Sequence, residues 1–221
     1  MSGRVGESGG DRGAGAGLGG SAPSRVADRA HVAVIGPGDA AAGERAQAFE
    51  VGALLARAGA VVVCGGLGGV MEEACRGAAS VRSETGAAAE RAPAPDEDAS
   101  AERGPAPDAA ASSEAAAADP VTIGLLPGLD RAAANPFVDV AIPTGLGELR
   151  NGLVVRASDA VIAIGGAFGT LSEIGLALKA GRCVVGLGTW ELARAGIHDE
   201  AIVVARNPAE AVALALAAAR G

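Results

Sequence analysis

A glycine-rich segment at 165–173 (GGAFGTLSE) contains residues suited to binding a phosphate group. It follows an apolar segment that reads as a buried strand, and a helix is predicted from about Thr170. Backbone N–H groups at the start of a helix attract anions, and a threonine hydroxyl can add a hydrogen bond. We therefore expect Gly165, Gly166, Gly169 and Thr170 to contact a phosphate.

Glu173 lies one helical turn beyond Thr170, so its carboxylate is expected near the same proposed phosphate site. A carboxylate at this position could stabilise positive charge on a bound ligand. The alternative is a plain capping box, in which the Thr170 and Glu173 side chains only satisfy backbone groups at the helix start. A capping box accounts for these two residues but leaves the three glycines of the segment unexplained.

A second glycine-rich turn, 64–69 (CGGLGG), precedes another predicted helix. Glycines let the backbone approach a ligand closely, and the helix start again offers N–H groups. We expect Gly66, Gly68 and Gly69 to contact the ligand. Because Val70 stands where the phosphate-binding loop of P-loop nucleotidases requires lysine, that class of protein is excluded.

The first glycine turn begins at Gly36, directly after a predicted strand. Gly36 could contact a phosphate, and a tight strand-to-helix connection explains it equally well. A nicotinamide-dinucleotide site also requires an acidic residue at the end of the second strand, to bind the ribose hydroxyls. Cys64 and Gly65 occupy that place, and we therefore disfavour such a site.

These turns must be positioned by strands that alternate with helices. Apolar runs and helical spacing predict strands at 31–35, 60–63, 121–125, 138–142, 159–164, 183–187 and 201–204, and helices at 43–58, 70–79, 146–157, 170–180 and 208–220. Alternation of this kind predicts an α/β fold, a single Rossmann-like three-layer domain with a mostly parallel sheet. Ligands of such folds lie beyond the C-terminal ends of the strands, where the glycine turns fall.

Composition divides the chain into an ordered domain and two segments that we expect to be disordered. Residues 1–29 form an N-terminal tail of glycine, serine and alanine, and the domain occupies 30–221. An acidic insertion rich in alanine and proline interrupts the domain at about 80–120, although its alanine-rich run at 109–118 could also form a helix.

The charge and residue content exclude several classes of partner. The net charge is −8 and aromatic residues make up 2% of the chain, which counts against nucleic-acid binding and against anionic membranes. Three unpaired cysteines and the lack of a signal peptide predict a cytoplasmic protein. The two histidines are far apart, so no metal site is expected.

Taken together, the motifs resemble those of the Lonely Guy (LOG) and lysine-decarboxylase-like superfamily. The resemblance covers 31–79 and 121–218 and is greatest to the branch of molybdenum cofactor carrier proteins and related nucleotide-binding proteins. The residues that carry it are 64–74, 76–78, Asn135-Pro136, 143–147, Arg150-Asn151 and 169–174.

The resemblance implies two alternative functions. As a carrier, the protein would bind a phosphate-bearing ligand, a nucleotide or the molybdenum cofactor, with no other cofactor required. Asn151 would hydrogen-bond the ligand, unless it is only a solvated helix residue. As a phosphoribohydrolase, it would cleave the N-glycosidic bond of a nucleoside 5′-monophosphate, with Arg150 and Glu173 as catalytic residues.

Three departures from the enzyme motif favour the carrier function. Gly165 replaces a proline, and Asn151 replaces a lysine. Ala167 replaces a glycine, and an alanine there would strain the loop if the position required a positive φ. A plain surface ion pair is the alternative explanation for Arg150. The resemblance also implies a homodimer or a higher homo-oligomer.

Overall fold

The computed structural model describes residues 26–90 and 119–221. Their helices and strands, in chain order, are β1 (His31–Ile35), α1 (Ala42–Arg57), β2 (Val61–Cys64), α2 (Val70–Glu90), β3 (Val121–Leu126), β4 (Val140–Pro143), α3 (Asn151–Arg156), β5 (Ala160–Ile164), α4 (Phe168–Lys179), β6 (Cys183–Leu187), β7 (Leu192–Arg194), β8 (Ile197–Asp199), β9 (Ile202–Val204) and α5 (Pro208–Ala218).

Seven strands form one parallel sheet in the order β4-β3-β2-β1-β5-β6-β9. The chain moves outward in one direction from β1 and in the opposite direction from β5. The border between β1 and β5 is therefore the switch point of the sheet, where ligands of such folds bind. The strands β1, β2 and β5 are almost entirely buried, as expected for a parallel sheet covered on both faces.

Helices cover both faces of the sheet. Alternate residues of β1 show the division, because Val32 and Val34 pack in the core beneath α1, α2 and α5. Ala33 and Ile35 lie in the opposite core, which α3 and α4 cover. This arrangement confirms the predicted α/β class, a single Rossmann-like domain with three layers.

Helix α2 is longer than predicted, since it continues to Glu90 rather than ending near Ala79. The residues beyond Ala79 include good helix formers, and no proline occurs before Pro93. The start of the stretch that we expected to be disordered is therefore helical. The remainder, 91–118, lies outside the described residues, so its disorder and the alternative helix at 109–118 stay predictions.

The N-terminal boundary also lies earlier than predicted. Residues 26–28 form a 3-10 turn, and the side chain of Arg29 is buried. Its guanidinium donates hydrogen bonds to the backbone oxygens of Gly59, Ala60 and Asp119. Residues 1–25 lie outside the described part, so the proposed tail remains a prediction there.

Two further differences concern short elements. The predicted helix at 146–157 is a 3-10 turn at Gly147–Arg150 followed by the short helix α3. The antiparallel hairpin β7–β8 was not predicted, because its turn at Ala195 and Gly196 lacks the asparagine-glycine or aspartate-glycine signal. In the described ranges, 26–90 and 119–221, no helix is both long enough and apolar enough to span a bilayer.

Candidate functional site

A cavity of about 360 Å³ opens at the C-terminal edge of the sheet, at the switch point. The turn after β1, the segment around Arg150 and the start of α4 surround it. Its lining residues are Gly36, Pro37, Gly38, Met71, Glu148, Arg150, Asn151, Ala167, Phe168, Gly169, Thr170, Ser172 and Glu173. The sheet order thus brings the first and third glycine turns to one place.

The first turn of α4 presents backbone N–H groups toward this cavity. The helix begins at Phe168, and its preceding residue Ala167 makes no side-chain capping bond. The N–H groups of Phe168, Gly169 and Thr170 therefore have no acceptor within the helix. Together with the helix dipole they make this end of α4 suitable for an anion.

The capping-box interpretation of Thr170 and Glu173 is wrong. Thr170 is the third residue of α4 and not its cap, and its side chain is buried. Glu173 lies in the second turn of the helix and is buried as well. Ala167 adopts extended backbone (φ −112°), so the alanine at this motif position causes no strain.

Arg150 is buried at the floor of the cavity, with 7% of its surface exposed. Its Nη1 donates a hydrogen bond to Asn151 Oδ1 at 2.9 Å and lies 3.4 Å from Glu173 Oε1. Its Nε is buried and has no hydrogen-bond partner among the described residues. The alternative of a surface ion pair for Arg150 is therefore wrong.

The Arg150 guanidinium packs directly on the second glycine turn. A Cβ atom at Gly65 would lie 2.3 Å from Arg150 Nη2, so only glycine leaves room for the guanidinium there. The excess of glycine in this turn thus has one structural cause that the sequence did not reveal.

Burial raises the pKa of the Glu173 carboxyl to about 7, although the nearby Arg150 guanidinium acts in the opposite direction. A carboxyl with this pKa is partly protonated at neutral pH. Its charge, and with it the charge balance of the cavity, changes in the physiological range.

A chain of hydrogen bonds joins α3 to the first turn of α4. Asn151 Nδ2 donates to Ser172 Oγ at 3.1 Å, and Ser172 Oγ donates to the Gly169 backbone oxygen at 2.7 Å. Because Asn151 also accepts from Arg150, it holds the guanidinium in place relative to α4. The prediction that Asn151 contacts the ligand stays untested, and its observed partners are protein groups.

A family model matches this chain over residues 29–103 and 105–212, which is most of its length. The chain belongs to the SLOG cluster4 family. This result confirms the resemblance inferred from the motifs.

Other proteins resemble this SLOG cluster4 chain in sequence or structure. An uncharacterized protein of Archaeoglobus fulgidus is 32% identical over 181 residues, 82% of this chain and 91% of that protein. The molybdenum cofactor binding protein of Rippkaea orientalis has a TM-score of 0.61 at 28% identity, covering 84% of this chain and 94% of its own. The molybdenum cofactor carrier protein of Chlamydomonas reinhardtii has a TM-score of 0.62 at 27% identity, covering 87% and 100%.

The cavity of this SLOG cluster4 protein brings together six of the residues predicted for the site. These are Gly36, Arg150, Asn151, Gly169, Thr170 and Glu173. Gly165 and Gly166 instead line a separate cavity on the other side of the third turn.

The glycines of the second turn do not line the cavity at α4. Gly69 has φ +67°, and a Cβ there would lie 2.3 Å from the Pro37 backbone oxygen, so it lets the first two turns pack together. Gly66 packs on Gly124 and Leu126. Gly68 is open, since a Cβ there would have no neighbour closer than 3.7 Å.

Sequence reasoning missed three side chains of the site. Phe168 lines the cavity with 81% of its surface exposed, and Glu148 and Ser172 line it as well. Ser172 lies inside the motif at 169–174, but its pairing with Asn151 joins two helices and leaves no spacing signal. The exposed phenylalanine is notable because the chain has only three.

Proposed function

We propose that the protein binds and carries an anionic, phosphate-bearing ligand of the molybdenum cofactor or nucleotide kind in the cavity at the start of α4. The observation that carries this proposal is that the buried Arg150, with an unpaired Nε, lines the same cavity as the first turn of α4 and its uncapped N–H groups. A buried guanidinium with an unsatisfied N–H costs free energy, and an anion bound in the cavity would offset part of that cost through its charge.

The proposed contacts follow from this geometry. The N–H groups of Gly169 and Thr170 and the Thr170 hydroxyl would bind the anion, and Arg150 would neutralise it. Gly36 would let the ligand approach the end of β1. We propose packing roles for Gly66 and Gly69, and Gly68 remains a candidate contact. The molybdenum cofactor binding and carrier proteins named above support this class of ligand.

Binding can be tested with inorganic phosphate, molybdate and AMP, by isothermal titration calorimetry. We expect saturable binding that Thr170→Asp abolishes, because its carboxylate would repel an anion at the helix start. Thr170→Val removes only the hydroxyl and serves as the fold-preserving variant, with an expected loss of about tenfold in affinity. The proposal would be refuted if none of the three probes bound.

A phosphoribohydrolase is the second candidate, because Arg150 and Glu173 form a buried pair inside the cavity. Glu173 would stabilise the oxocarbenium-like state of the ribose while water attacks. Gly165 argues against this candidate. Its φ is +59°, which the proline of the enzyme motif could not adopt. Release of free base from nucleoside monophosphates, lost in Glu173→Gln, would establish it, whereas binding without release would leave the carrier function.

We also propose a homodimer or higher oligomer. Leu149 and Leu153 near α3 and Leu176 on α4 are exposed apolar side chains that a second subunit could cover. Light scattering coupled to size-exclusion chromatography tests this point, and a monomer at micromolar concentration would contradict it.

A further inference from the structure

A second cavity, of about 430 Å³, lies on the opposite side of the third glycine turn from the first. Gly165 and Gly166 line it on one side, and Thr189, Trp190 and Glu191, which follow β6, line it on the other. The two cavities therefore share the turn at 165–170 as a common wall.

An aromatic pair connects the two cavities. The rings of Phe168, in the first cavity, and Trp190, in the second, have centroids 5.8 Å apart and an interplanar angle of 36°. Trp190 Nε1 donates a hydrogen bond to the Ala167 backbone oxygen at 3.3 Å, which fixes the indole beside the turn. A flat ring could cover this exposed aromatic surface favourably.

The charged groups of the second cavity are carboxylates, which accept hydrogen bonds. Glu44 is held by the Ala41 N–H, which donates to Oε2 at 2.7 Å, and Oε1 lies against Gly165. The Glu191 carboxylate is exposed and makes no hydrogen bond or ion pair within residues 26–90 and 119–221. Thr189 Oγ1 is buried and also lacks a partner there.

The two cavities thus have opposite preferences. The first has the Arg150 guanidinium and the positive end of α4 beside the carboxyl groups of Glu148 and Glu173. No residue described around the second is cationic, and its two charged residues are the carboxylates Glu44 and Glu191. A ligand that spans both would place its anionic group at α4 and a group rich in N–H donors near Glu44 and Glu191.

We propose that the second cavity binds a flat heterocycle that carries a 2-aminopyrimidin-4-one edge, stacked on Phe168 and Trp190. Its adjacent N–H and NH₂ groups match a carboxylate, which accepts two parallel hydrogen bonds. Guanine and pterin share this edge. The inference rests on the proposed function, because the anionic group of the same ligand would bind at α4.

The decisive comparison is between GMP and IMP, which differ only by the 2-amino group. Calorimetry on the full-length protein should give a Kd at least tenfold lower for GMP than for IMP. The variants Glu191→Gln and Glu44→Gln should reduce this preference to threefold or less and leave inorganic phosphate binding unchanged. Glu50→Gln, an exposed acid on the same helix as Glu44 but outside the second cavity, is the matched control and should retain the full preference.

A pterin monophosphate such as dihydroneopterin monophosphate, titrated beside GMP, identifies which ring is preferred, and preference for either over IMP supports the subsite. Equal affinity for GMP and IMP, with phosphate still bound, would overturn the subsite and leave the proposed function standing. Failure of phosphate and of every nucleotide to bind would overturn both. A preference that survives both glutamate variants would also overturn the assignment of these carboxylates.

Discussion

At the scale of single residues, the site depends on how Arg150 is held. Its guanidinium contacts Gly65, Asn151 and Glu173, which come from three different segments of the chain. The amide of Asn151 serves two partners at once, since it accepts from Arg150 and donates to Ser172. We infer that Asn151 positions the arginine. An amide suits this place because it can accept one hydrogen bond and donate another.

Replacement of Asn151 by leucine should therefore weaken ligand binding without unfolding the protein. Loss of a hydrogen bond to a charged group costs about 1.5–3 kcal/mol, so the Kd for AMP should rise about tenfold or more. Ser172→Ala removes only the second hydrogen bond and should raise the Kd about threefold. Calorimetry measures both, and an unchanged Kd in Asn151→Leu would contradict the positioning role.

The Glu173 carboxyl should make the stability of the protein depend on pH. Its pKa rises from 4.5 to about 7 on folding, so the folded state binds more protons than the unfolded state between these values. The free energy of unfolding should therefore fall as pH rises through this window. At 1.36 kcal/mol per pKa unit, the decrease contributed by Glu173 is about 3 kcal/mol.

Urea denaturation of the wild type and of Glu173→Gln, at intervals from pH 4 to pH 8, tests this prediction. The difference between their unfolding free energies should change by about 3 kcal/mol across the range. Glu50→Gln, on the exposed side of α1, should retain the wild-type slope. Parallel pH profiles for the wild type and Glu173→Gln would show that the carboxyl keeps its ordinary pKa.

At the scale of elements, the close packing of α1 on α2 depends on glycine. A Cβ atom at Gly52 would lie 1.9 Å from the Ala74 backbone oxygen, and one at Gly77 would lie 1.9 Å from that of Phe49. The two helices therefore approach each other backbone to backbone. This contact places the start of α2 beside the first glycine turn, where Val70 donates its N–H to the Pro37 oxygen.

Gly77→Ala should separate these helices and lower the free energy of unfolding by about 1–3 kcal/mol, the usual cost of overpacking. Gly175 on α4 is the matched control, because it is exposed and a Cβ there would meet nothing within 4 Å. Gly175→Ala should stabilise the protein by about 0.5–1 kcal/mol through helix propensity. Chemical denaturation gives both values, and equal effects would refute the packing argument.

At the scale of the whole molecule, the sequence predicted the fold class well and the site only in part. Buried parallel strands appear as short apolar runs followed by glycine, and His31–Ile35 and Cys183–Leu187 match their predicted bounds. Which glycine turns meet depends on the strand order, which local periodicity does not encode. The turn after β2 lies one strand away from the switch point, and three of its glycines, Gly65, Gly66 and Gly69, pack against protein.

Contacts between segments that are distant in the chain could not be predicted from the sequence either. Asn151 and Ser172 lie on different helices, and the guanidinium of Arg150 reaches Gly65 across the sheet edge. The motif at 169–174 pointed to the candidate cavity because its glycine, threonine and glutamate lie close together in the chain. Interactions that arise only from packing required the structure.

The hairpin β7–β8 lies outside the seven-stranded sheet and follows directly after Trp190 and Glu191. The chain leaves the sheet at the end of β6 and returns to it at β9, the parallel neighbour of β6. Insertions or substitutions between β6 and β9 can therefore occur without shifting the register of the seven-stranded sheet. If Trp190 and Glu191 select the ligand as proposed, exchanges at the start of this segment would change that selection while the seven-stranded sheet stays the same.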